Sequence, residues 1–143
     1  MNKGFTLLEL LIVMALVVIL STVGLLSLVG FRSQQSLRLA GQNLVTVLRD
    51  TQQKSVSQEG GQQWGVRIVH QVGGRDYYAV LSGGAETART TFPSNVEFAA
   101  SYPDLTFAKI SGLPSAPATF IIRLVSEPTS SVTINVNAQG VIQ

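Results

Sequence analysis

From Leu10 to Phe31 the chain carries no charged side chain. A helix through that stretch, rising about 1.5 Å per residue, extends roughly 33 Å, enough to cross the ~30 Å hydrocarbon core of a bilayer. The run holds much of the apolar excess of a chain that is 45% hydrophobic and only 13% charged, and the remainder, from Arg32 to Gln143, has ordinary soluble patterning. The sequence therefore predicts one membrane-length helix followed by one small domain. Flanking charge does not orient it, because Lys3 precedes the run and Arg32 and Arg38 follow it.

The start of the run, KGFTLLELLIVMALVVIL, contains one acid, Glu9. A carboxylate at the centre of a membrane helix costs about 2.5 to 3.5 kcal/mol, and less near an end, where it reaches the interface. Its plain physical reading is an interfacial acid favoured by the dipole of a helix N-terminus, worth about 0.3 to 1 kcal/mol. A secretory signal would place a small-residue cleavage site after its apolar stretch. Here Lys3 and Gly4 come first, then Phe5, and the apolar run follows.

That order resembles the leader and N-terminal helix of type IV prepilins and of the pseudopilins of type II secretion systems. The resemblance implies cleavage by a prepilin peptidase after Gly4, N-methylation of the new N-terminal Phe5, and retention of the helix for filament assembly. For Glu9 it implies a pairing with the α-amino group of Phe5 on a neighbouring subunit. It also implies a bacterial inner-membrane, single-pass protein whose C-terminal domain lies in the periplasm or in an extracellular filament. Its partners would be other pilin or pseudopilin subunits, the peptidase and the assembly machinery. The expected division is a leader at 1–4, a transmembrane and assembly helix at 5–31, and an α+β domain at 32–143.

Gly24 and Gly30 fall in the second half of the run. They read either as points where the helix can loosen or as small residues for close helix packing. Beyond Phe31, Leu37, Ala40, Leu44, Val47, Leu48 and Val56 recur at helical spacing, which predicts an amphipathic continuation ending at Gly60 and Gly61. The period then becomes two through Trp64, Val66, Ile68 and His70, with a turn at Gly73 and Gly74 into a strand over 77–81. Residues 82–91 read as a loop. Further strands are expected at 95–99, 105–110, 119–125, 132–136 and 141–143. The sum is an α+β fold, type IV pilin-like, with a long N-terminal helix packed on an antiparallel sheet. The segment from Leu39 to Val69 and the ending VTINVNAQGVIQ are similar to H-type minor pseudopilins and related minor pilins, with Gly140 followed by Val141 where Arg is usual.

Little in the sequence points to catalysis, and no enzyme activity, cofactor or metal is expected. There is no cysteine, and His70 is the single histidine. The acids Asp50, Glu59, Asp76, Glu86, Glu97, Asp104 and Glu127 stand apart, without the spacing of a calcium loop or of a carboxylate pair. Trp64, Tyr77 and Tyr78 form an aromatic region best read as half-buried hairpin. An alternative function, a filament-tip module for DNA binding or adhesion, would need Arg67, Arg75 and Arg89 for phosphate contacts, since nothing after Arg123 is basic. A net charge of +2 is no nucleic-acid footprint.

Overall fold

The computed structural model describes residues 6–143, with the side chains of 22–27 left aside. The chain forms two compact units, Met1–Ser33 and Gln34–Gln143. One helix, α1 (Leu7–Val56), contributes to both.

In the first unit the described apolar side chains are exposed on every side of α1, from Leu7 through Leu20 and again from Leu28 to Phe31. Ser21 hides its polarity within the helix by donating its hydroxyl to the Val17 carbonyl at 2.7 Å. Among the described residues no helical stretch is long and apolar enough to cross a membrane. The charge-free run passes through 22–27, Gly24 among them, and the surroundings of these residues lie outside what is described.

In the second unit the helical period takes effect. Leu37, Ala40, Leu44 and Leu48 are buried, and the stripe continues onto Thr51 and Ser55. The expected end of the stripe is thus corrected: Val56 is 38% exposed, because a 3.6-residue period places 51 and 55, not 56, on the inner face. Both buried hydroxyls are satisfied, Thr51 on the Val47 carbonyl and Ser55 on the Phe107 carbonyl. The helix also ends before the glycine pair, since Gln58 itself adopts a left-handed conformation (φ 55°) and Gly60 and Gly61 form a separate tight turn.

Seven strands follow: β1 (Trp64–Val69), β2 (Tyr77–Ser82), β3 (Ala85–Thr91), β4 (Val96–Phe98), β5 (Leu105–Phe107), β6 (Ala118–Leu124) and β7 (Ser131–Val136). They make two antiparallel sheets, ordered β3-β2-β1-β5 and β4-β6-β7. The expected loop at 82–91 is instead the strand β3. Gly83 and Gly84, both at positive φ, supply the two-residue turn that folds it back on β2. No residue of β3 is buried, so it has no apolar alternation to announce it. The residues at 141–143 lie alongside β7 through an isolated bridge between Val136 and Ile142.

The core joins the α1 stripe to Val66, Ile68, Phe98, Phe107, Ile122 and Ile134. A run of rings, Tyr78, Phe92, Phe98, Tyr102 and Phe120, continues through it with centroids 4.6 to 6.2 Å apart. Asp76 ties this unit together: its carboxylate, 3% exposed, accepts from the Gln71 N–H (2.8 Å) and the Phe98 N–H (2.6 Å) and pairs with His70 Nδ1 (2.8 Å).

Candidate functional site

The residues singled out for processing, Gly4 and Phe5, lie outside the described residues. Glu9 lies in the first turn of α1, exposed. Thr6 precedes the helix, and its carbonyl takes the first helical bond, from the Leu10 N–H at 3.2 Å. The two side chains close a reciprocal cap. Glu9 donates its N–H to Thr6 Oγ1 (3.2 Å), while Glu9 Oε2 accepts from the Thr6 N–H (3.0 Å) and the Thr6 hydroxyl (3.1 Å). Two N–H groups that a helix start leaves without partners are thereby satisfied at once. The signal was present in the sequence as Thr-x-x-Glu before an apolar run, and a reading of Glu9 as an isolated acid misses it.

The cap has two chemical consequences. It holds the carboxylate at the helix N-terminus, where the dipole favours negative charge. It also engages only Oε2, so that among the described residues Oε1 has no partner and can accept from a cation outside the chain. The acid thus sits, oriented, at the mouth of a helix whose described side chains are otherwise apolar from Leu7 to Leu20.

Folding brings together acids that the sequence shows as singles. Arg67 grips Asp104 through Nε (2.9 Å) and Nη2 (2.6 Å) and reaches Glu86 through Nη1 (3.2 Å). Arg89 binds the other oxygen of Glu86 at 2.8 Å and stacks over Tyr77 at 4.1 Å. The hydrogen bond to Asp104 pushes the Arg67 guanidinium up, and the bond from Arg89 pulls the Glu86 carboxyl down. Two of the three cations available for phosphate contact are therefore already matched by acids, which leaves Arg75. Among the described residues no group of His, Asp and Glu is placed to hold a metal ion.

Residues 1–25 match the family description "Prokaryotic N-terminal methylation motif". Among solved structures, the type IV minor pilin FimU of Pseudomonas aeruginosa is similar over 75% of this chain and 90% of that one, with a TM-score of 0.56 and 16% identity. No curated protein matches the chain.

Proposed function

From a chain that carries the prokaryotic N-terminal methylation motif and has the type IV pilin fold, we propose a structural subunit of a type IV pilin-like filament, a minor pilin or a minor pseudopilin of type II secretion. It is made as a precursor, cut after Gly4 by a prepilin peptidase, methylated at Phe5, and held in the inner membrane by the run from Phe5 to Phe31 until it assembles.

The observation that carries this reading is the Glu9 cap. The cap survives cleavage, because Thr6 keeps its amide N–H when Phe5 becomes the N-terminus. Oε1 then remains to receive the α-amino group of Phe5 from an adjacent subunit, a pairing that neutralises both charges as apolar helices come together. The Glu9→Ala variant is expected to insert in the membrane as well as the parent and to enter filaments poorly. Normal incorporation, measured by sedimentation of sheared filaments against membrane-fraction levels, would refute the pairing.

A further inference from the structure

Strand β3 forms an edge of the four-stranded sheet, and no residue of it is buried. The Phe92 N–H donates to the Asp76 carbonyl at 2.8 Å, which turns residue 92 toward β2. Peptide groups alternate between the two edges of an antiparallel strand. Thr90 and Ala88, opposite Tyr78 and Val80, therefore also face β2, while Arg89 and Thr91 face away. Among the described residues nothing bonds the N–H or the carbonyl of Arg89 or Thr91 on that outer side. An open edge is a template for another chain, and proteins blunt it with proline or a bulge. Both devices are present here, but at the two ends of the stretch. The extra residue Thr87, whose hydroxyl donates to the Val80 carbonyl, stands before it, and Pro93 stands after it. Between them the edge over 88–92 stays open.

The two faces of this stretch differ. On the side of α1, Thr90 is exposed beside a recess of about 170 Å³ lined by Leu39, Ala40, Phe92 and Pro93, to which no charged side chain contributes. Leu39 is itself 49% exposed. On the other side Arg89 lies over Tyr77 and binds Glu86, and Arg67 joins Glu86 to Asp104. Two cations and two acids balance in that network, so it calls for no further charge. A strand added antiparallel to β3 exchanges main-chain bonds with Arg89 and Thr91 and sets the residue opposite Thr90 over the recess.

We propose that β3 is a docking edge for an extended, uncharged segment of a partner protein, added antiparallel over 88–92 with an aliphatic side chain seated against Leu39. The N–H and carbonyl groups of Arg89 and Thr91 give binding, and the recess selects the aliphatic side chain. A second copy of the chain does not fit. Pairing two β3 strands antiparallel relates the copies by a two-fold axis through the sheet, so the α1 helices packed on that sheet run in opposite directions. Copies anchored in one membrane cannot adopt that arrangement. This exclusion rests on the anchoring proposed above, whereas the open edge does not.

The test uses the full chain in detergent micelles and the acetylated, amidated peptide Gln-Thr-Leu-Thr-Gln. Variants carry Ser for the central Leu, or Glu or Lys for the second Thr, which pairs with Arg89. Binding is followed by amide chemical shifts and hydrogen exchange at Arg89 and Thr91. The Leu peptide is expected to bind about tenfold more tightly than the Ser peptide, and the Glu and Lys peptides no more tightly than the parent. Thr91→Pro, which removes an N–H the β2 ladder does not use, is expected to abolish binding. Leu39→Ala is expected to remove most of the preference for Leu over Ser. The proposal is overturned by no response at these amides, by equal binding to Thr91→Pro, by an undiminished Leu preference in Leu39→Ala, or by a gain of about tenfold from Glu or Lys. Protection of the two amides without peptide also overturns it. Protection independent of concentration means that the chain covers its own edge, and protection that rises with concentration assigns the edge to a second copy.

Discussion

Replacing Asp76 by alanine probes how the second unit is held together. The carboxylate serves the Gln71 N–H, the Phe98 N–H and His70 Nδ1, all within 2.8 Å. Truncation leaves three donors without acceptors. The Phe98 N–H is fully enclosed, and the Gln71 N–H and the His70 ring are partly so. At about 1 to 3 kcal/mol for an enclosed donor and less for the others, offset by release of a buried charge from its desolvation cost, the net loss is about 3 to 5 kcal/mol. Asp76→Asn should cost less, about 1 to 3 kcal/mol, since its amide carbonyl can still serve two of the three donors while its NH₂ opposes the third. With a urea slope of about 1 to 3 kcal/mol per molar, the alanine variant should unfold at a midpoint at least about 1 M lower. Trp64, the only tryptophan, reports the transition by fluorescence, and exchange of the Phe98 amide reports the local loss. An alanine variant within about 1 kcal/mol of the parent, or one no weaker than the asparagine variant, would refute the reasoning.

Ser55→Ala removes the hydroxyl that bonds the Phe107 carbonyl and the Trp64 N–H, and is expected to cost about 2 kcal/mol by the same denaturation assay. Burial pushes the Tyr78 phenol up, with the Thr90 hydrogen bond opposing it, so the folded state holds that proton more tightly than the unfolded chain does. The resulting stability is complete below about pH 10, where unfolded tyrosine titrates, and is lost as pH rises through the folded value. Tyr78→Phe is therefore expected to flatten the alkaline fall in melting temperature above about pH 10, and an unchanged slope would contradict the assignment.

Much of the architecture was legible where burial imposes a period. Leu37, Ala40, Leu44 and Leu48 announced the inner face of α1, and the alternation at 64–70 announced β1. Strand β3 was not legible, because an exposed edge of Ala, Thr, Glu and Arg carries no alternation and its pairing comes from the Gly83-Gly84 turn and the β2 backbone. Asp76 gave no sign of its role. Between Arg75 and Tyr77 it reads as a turn acid, and two of its three donors come from residues near in sequence only on one side of the turn, while Phe98 is 22 positions away. Glu9 was conspicuous as a charge among apolar residues, yet the partner it has within its own chain, Thr6 three positions before it, was not read from the pattern. The Arg67, Asp104 and Glu86 cluster depends on β3 folding back on β2 and on β5, which Asp104 immediately precedes, pairing with β1 across a long stretch of chain, which no local pattern encodes.

The most direct test of the account is the mass of the mature N-terminus, read from cells that contain a prepilin peptidase and from cells that lack it. A filament subunit begins at a methylated Phe5 in the first case and keeps its leader through Gly4 in the second. A chain that starts at Met1 in both, or that is cut elsewhere whether or not the peptidase is present, would contradict the account.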